Sequence, residues 1–282
     1  MKRYRVFSMD FDARVNTLTM EIKENWEPKV KEPWEQNQKL MAEGLIEEFG
    51  SRLSDGKRQN FIDLGAKPMS VLAFHNRFFQ QIRHAFVVGA YYPALTGVCA
   101  LGERVLNYLI LILRDDFKGS DSYKHIYRKE SFNNWDIAID ALESWDVLRP
   151  SVVESFRALK ESRNRAIHFR PEVDREDRQL ALAAVQSLRT VISDQFGAFN
   201  PSPWFIPDTP GEIFIRQECE DLPFIKRVYL PNCLRVGPRH LVTQVVPTII
   251  VNDDFDYEDR QVTDDEYREL RKKHTHSHQA AE

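Results

Sequence analysis

Apolar residues along this chain fall into three regimes. Up to about residue 66 they are sparse. Tyr4 and Val6 alternate as in a short strand, and Leu40, Leu45, Ile46 and Phe49 give one face of a helix from about Glu35 to Phe49. Pro28 and Pro33 interrupt anything helical before Trp34, and Gly50 ends the helix. From Pro68 the spacing is strongly helical. Ser70 is placed to cap a helix carrying Val71, Leu72, Phe78, Phe79, Ile82 and Phe86, and Tyr91-Tyr92 closes it. Pro93 opens a second helix, reaching Phe117, that is apolar on nearly every face from Leu95 to Leu113. That pattern belongs at the centre of a bundle. A third helix, about Trp135 to Leu148, carries Ile139, Leu142 and Trp145. A fourth starts at Ser151. A last one opens at Asp174 and Asp177, carries Leu180, Ala184, Leu188, Val191, Ile192 and Phe196, and closes at Gly197.

At Phe199 the helical period vanishes, and eight of the fourteen prolines lie between Pro201 and Pro247. Glu212–Arg216, Ile225–Leu230 and Leu241–Val251 are β-branched or aromatic runs set apart by Pro, Gly and Asn, which predicts short strands. Asn252–Asp259 is acidic, and Thr263 with Glu266 forms a capping box for a short exposed helix. The predicted architecture is mainly α: an up-and-down helical bundle with an N-terminal arm and a small β-rich C-terminal appendage. Its expected divisions are a polar arm at 1–66, the bundle at 67–198, a Pro-rich β-containing appendage at 199–262 and a polar tail at 263–282.

Composition changes this picture little. The net charge of −4 gives no general attraction to nucleic acid, so any RNA contact has to come from a local basic patch. Three scattered cysteines, Cys99, Cys219 and Cys233, make neither a disulfide framework nor a zinc spacing. The first residues lack the apolar core of a signal peptide, and the run Val105–Leu113 is too short to span a bilayer. A cytoplasmic protein without membrane contact, metal or cofactor is the expectation. His274, His276 and His278 alternate as metal ligands can, in what reads as a frayed tail.

The chemistry concentrates between Ser151 and Pro171. Ser151 and Glu154 are spaced as a capping box, and Pro171 stops the helix. Val152, Phe156, Leu159 and Ala166/Ile167 make the core stripe, and Arg163 falls on it. A cation among core positions needs a partner or a purpose. Asn164 and His168, four residues apart, share a face beside it, and the dipole at the helix end favours the protonated imidazole. A guanidinium, a carboxamide that orients a ring and an imidazole tuned near neutrality suit phosphoryl chemistry. On the neighbouring apolar helix Glu103 and Asn107 are polar exceptions on one face, and Glu103 is a candidate partner for Arg163. Between Lys118 and Ser131, read as a loop, Lys124, Tyr127, Arg128 and Lys129 combine charge with aromatic rings, the ingredients of single-stranded RNA contact.

Arg163-Asn164-Arg165-Ala166-Ile167-His168 resembles the Arg-x4–6-His motif of HEPN domains, in which a polar residue often follows the arginine. The resemblance covers about Pro68 to Phe199. It implies a HEPN-like bundle and a metal-independent endoribonuclease acting in a toxin or anti-phage role. In such a protein two motifs meet across a homodimer, Arg163, Asn164 and His168 are catalytic, and an inhibitor or antitoxin restrains them. A non-catalytic HEPN-like dimerisation or regulatory module is the alternative. Other Arg/His pairs have poorer contexts. Arg235 and His240 flank Gly237-Pro238, while Arg268 with His274 and Arg271 with His276 and His278 lie in the tail; Arg77 with His84, in mid-helix, is the serious competitor.

Overall fold

The computed structural model describes residues 1–7, 10–167, 176–198, 202–245 and 248–279. Contacts divide the chain into two units, Met9–Gly197 and a second made from both ends, Met1–Ser8 with Ala198–Glu282.

The first unit is a helical bundle. Its described helices are α1 (Arg14–Thr19), α2 (Pro28–Phe49), α3 (Ser54–Leu64), α4 (Ala73–Val87), α5 (Tyr91–Leu113), α6 (Tyr123–Ile126), α7 (Trp135–Ser144), α8 (Pro150–Ile167) and α9 (Asp177–Phe196). The apolar helix takes the place its sequence demands, since α5 packs against α4, α7, α8 and α9. Leu95, Val98, Val105, Leu106, Leu109, Ile110 and Leu113 are buried along it. With the 3-10 turn that follows, α5 reaches Phe117 and is long and apolar enough to cross a bilayer by length and composition. The run Val105–Leu113 therefore understates the apolar length of this helix. Beyond α5, Phe117 stacks on Trp145 at 4.6 Å, and the Trp145 indole donates to Ser120 at 2.9 Å.

The expected arm is largely part of this bundle. α2 begins at Pro28, seven residues before the expected Glu35, with the proline in its first turn, where no amide is needed. Pro33 sits inside the helix and removes one backbone bond without ending it. α3 buries Phe61 and Leu64. Its C-terminal carbonyls are taken by arginines from two other helices: Arg83 donates to Gly65 at 2.7 Å and Arg189 to Leu64 at 3.2 Å. Burial lowers the Arg83 pKa to about 10. Gly65 has φ +66, and a side chain there would overlap Arg189.

Two capping expectations need correction. Ser151 lies within the first turn of α8, and its hydroxyl donates to Asp194 at 2.7 Å instead of closing a box with Glu154. Ser70 accepts from the Leu72 amide at 3.2 Å and pairs with Gly197, so it precedes α4 without capping it.

The second unit is built on strand β1 (Arg3–Val6), antiparallel to β2 (Cys233–Val236) in the register Arg3↔Val236 to Val6↔Cys233. Phe214 and Ile215 run alongside as extended chain: Ile215 donates to Tyr4 and Val6 to Ile213, both at 2.8 Å. The expected strand at Glu212–Arg216 is thus present only as isolated bridges. Leu241–Val251 folds as a hairpin of β3 (Leu241–Gln244) and β4 (Ile250–Asn252). Ile225–Leu230 is no strand. Ile225–Tyr229 is a π-helical turn, because the buried Phe224, Ile225, Val228 and Tyr229 recur at helical spacing behind Pro223.

The short helix expected after Thr263 is α10 (Asp264–Gln279), with the Thr263 hydroxyl accepting from the Glu266 amide at 3.1 Å, but it is not an exposed one. Tyr267 joins Ile206, Phe214, Val236 and Val262 in the core of this unit. One turn on, Arg271 grips Glu212 through two bonds of 2.5 and 2.7 Å and donates to the Pro238 and His240 carbonyls. Arg5 of β1 reaches the same Glu212 carboxylate at 2.8 Å and also contacts His240.

Candidate active site

α8 is fixed at its start by α9. Gln195, fully buried, accepts from the Arg149 amide at 3.1 Å and donates to the Val147 carbonyl at 2.9 Å. From there Val152, Val153, Phe156 and Leu159 are buried, and the stripe runs out at Arg163. The Arg163 side chain is 27% exposed, so this arginine lies at the edge of the core and not within it. Asn164 is likewise half-buried and Arg165 exposed. His168, with the stretch around Pro171, lies outside the described residues, as does Asp174 at the expected start of the last helix.

Glu103 of α5 comes within 3.5 Å of Arg163 Nη2 and is 30% exposed. That is longer than the 2.7–2.9 Å of a charge-assisted hydrogen bond. The two charges attract across a gap and do not lock together. The same oxygen, Oε2, accepts from the Trp135 indole at 3.2 Å. Gly102 makes this possible, since a Cβ there would lie 2.8 Å from the Trp135 ring, so glycine lets the indole lie against α5. Trp135 in turn meets Phe156 of α8 edge-on at 6.4 Å. Asn107, the other polar exception of α5, donates to the Glu103 carbonyl at 2.8 Å and accepts from the Phe132 amide at 2.7 Å. It tethers the chain entering α7.

Beneath the pair lies Cys99. Burial pushes its thiol pKa up to about 11, with Arg163 pulling it down and Glu103 pushing it further up. The thiol therefore stays protonated near neutrality. Lys160, one turn before Asn164, pairs with Asp136 at 2.7 Å, which raises the lysine pKa.

The site thus has three walls, α5, α7 and α8. Sequence reading placed Glu103 and Arg163 here but missed Trp135, which reads as an ordinary apolar position at a helix start. The glycine one residue before Glu103 was its only trace.

The remaining sequence candidates are dispersed. Lys124 is paired with Asp121 at 2.9 Å in the open, and Lys129 lies 6.0 Å from the Phe132 ring. Arg128 sits 5.0 Å above Tyr127, which itself is 5.7 Å from Tyr123. The expected loop contains α6, because Tyr123–Ile126 closes one helical turn and buries Ile126. Arg77 and His84 have different surroundings. Arg77 lines an open groove of about 800 Å³ with Asp10, Asp12, Arg14 and Lys67, whereas His84 packs 5.0 Å from Phe49. Arg235 lies over Tyr4 at 5.9 Å, and the side chains of His276 and His278 are outside the described set.

No protein-family model, curated protein or solved structure matches this chain.

Proposed function

We propose that this protein is an endoribonuclease of HEPN type, cutting single-stranded RNA in the cytoplasm without a metal and working as a homodimer. The observation that carries the reading is the state of Arg163. It follows a buried stripe, keeps more than a quarter of its side-chain surface in solvent, and spends only one long contact on a carboxylate among the described residues. A guanidinium held loosely by one wall and open on the other retains donors for a phosphate.

In the proposed reaction one His168 takes the proton from the 2′-hydroxyl as that oxygen attacks phosphorus. The bond from phosphorus to the 5′-oxygen breaks, and a protonated second His168 gives its proton to the leaving oxygen. Arg163 steadies charge on the non-bridging oxygens and Asn164 orients the ring. The products are a 2′,3′-cyclic phosphate and a 5′-hydroxyl. One motif supplies one imidazole, so acid and base come from two protomers. A toxin or anti-phage role, with an inhibitory partner, fits such an activity.

One observation favours a second reading. Glu103 neutralises Arg163 in part, as it would in a non-catalytic dimerisation or regulatory module of the same family. Cleavage assays separate the two. His168→Ala and Arg163→Ala should each lower RNA cleavage by about 10²–10⁴-fold, with EDTA having no effect. Cleavage at the wild-type rate by purified His168→Ala protein would discard the nuclease and leave the module.

A further inference from the structure

One residue beyond Glu103, α5 presents a second set of side chains, toward α4. The Arg104 guanidinium lies 5.2 Å over the ring of Phe78, and the Tyr108 ring lies 5.6 Å from that of His75. Arg104 is exposed and makes no ion pair with any described carboxylate, while His75, Phe78 and Tyr108 are half-buried. Arg104 and Tyr108 are one helical turn apart, about 6 Å along the axis. Residues 103 and 104 are chain neighbours, with Cα atoms about 3.8 Å apart. Consecutive positions of a helix point about 100° apart, so the strip lies next to Glu103 around α5, turned toward α4 while Glu103 turns toward α7 and α8.

We infer that His75, Phe78, Arg104 and Tyr108 form the platform on which single-stranded RNA lies as it enters the Arg163 site. The inference rests on the ribonuclease reading for its direction, but its own support is separate. An unneutralised cation answers the phosphate backbone, and half-exposed rings offer faces on which bases of any kind stack. In a chain of net charge −4, attraction to RNA has to come from such a local patch. His75 suits the role, because burial and then Arg104 lower its pKa, and it offers a neutral ring at neutral pH. On the loop of Lys124 and Tyr127, by contrast, the lysine is already paired with an acid.

The test uses a short fluorescein-labelled oligomer of 2′-deoxyuridine, which lacks the reacting hydroxyl, so full-length protein binds it without cutting. Binding is followed by anisotropy over a range of salt. Tyr108→Ala should weaken the dissociation constant by about tenfold, and Tyr108→Phe, which keeps the ring, should bind as wild type does. Arg104→Gln, at an exposed position, should lower the slope of log K against log salt by about 0.7, the loss of one single-strand phosphate contact. On ribose substrate it should raise KM and leave kcat unchanged. Equal binding by wild type, Tyr108→Ala and Arg104→Gln, or no binding of the oligomer by wild type, overturns the platform whatever Arg163→Ala does to cleavage. Lost oligomer binding in Arg104→Gln alongside unchanged cleavage in Arg163→Ala discards the ribonuclease and leaves the platform standing.

Discussion

Arg271 and Arg163 answer one physical problem, a guanidinium at the margin of a core, in opposite ways. Arg271 of the unit built from the chain ends has at least four of its five donors bonded. Two of its bonds go to Glu212 and two more to backbone carbonyls, with the side chain 11% exposed. Among the described residues Arg163 of the helical unit has one 3.5 Å contact, and it has more than twice that exposure. A cation whose donors are nearly all used is a fastener, and its removal strands what it held. A cation with donors to spare holds little, and its removal shows in what it does to another molecule. Count of satisfied donors separates the two roles better than burial alone.

The largest expected effect follows from the more fully bonded side. Arg271→Ala leaves two carbonyls without their donor and, among the described residues, leaves Arg5 to hold Glu212. Breaking such a buried pair should destabilise the protein by about 3–5 kcal/mol. Arg163→Ala should cost about 1 kcal/mol or less, as half-exposed pairs do. Urea unfolding of the two full-length variants checks this. Comparable losses in both would erase the distinction and make Arg163 a structural residue.

His240 sharpens the same contrast through pH. It is fully buried between Arg5 and Arg271, with Nδ1 at 2.7 Å from the Gly237 carbonyl. Burial, and then the charge of Arg271, lowers its pKa from 6.5 to about 4. The folded state therefore prefers the neutral ring, and the unfolded chain takes up the proton first as the solution is acidified. Stability from this group is complete above pH 6.5 and is lost as pH falls toward 4. From about pH 7.5 to about pH 5 the loss should be about 2 kcal/mol. Glu212, whose pKa is lowered on balance by Arg271 and Arg5 against its burial, adds to the loss only at the acid end of the window. Unfolding curves at the two pH values measure it, and His240→Gln should flatten the dependence. A profile unchanged by that substitution would show that His240 is not the titrating group.

How far the sequence discloses these features depends on what kind of residue carries them. The helix α5 is legible because Leu95 to Leu113 are apolar and buried for the reason their pattern states. α10 is legible as a helix from its Thr263/Glu266 cap but not as part of a core, because a tyrosine and an arginine anchor it, and periodicity counts neither Arg271 nor its grip on Glu212 as hydrophobic. The same blindness hides Arg83 inside α4 and Arg3 and Arg5 inside β1, all buried or nearly so. Strand β1 pairs with residues more than two hundred positions away, a partner no local signal names. At Ile225–Tyr229, β-branched content outweighed a helical spacing of buried positions that was already there to be counted. At the candidate site the charged pair Glu103–Arg163 was readable as two anomalies on apolar stripes. The indole that steadies it was not, since nothing in an apolar residue type announces a hydrogen bond.

That indole allows the finest division of the comparison. Trp135→Phe keeps an aromatic ring against Gly102 and Phe156 but removes the 3.2 Å bond to Glu103, and should cost about 1 kcal/mol of stability. Glu103→Gln keeps an oxygen for the indole while removing the charge facing Arg163. Stability should change by less than about 1 kcal/mol, because the pair is long and a third exposed. If Arg163 meets a phosphate, that same substitution frees the guanidinium, and KM for RNA should fall a few-fold, about 1 kcal/mol. Combining the two substitutions gives the coupling between indole and carboxylate directly. A coupling near zero would show that Trp135 packs without steadying Glu103. A KM that rises in Glu103→Gln would show that the carboxylate places the guanidinium for substrate, and that the long contact is part of the site's working geometry.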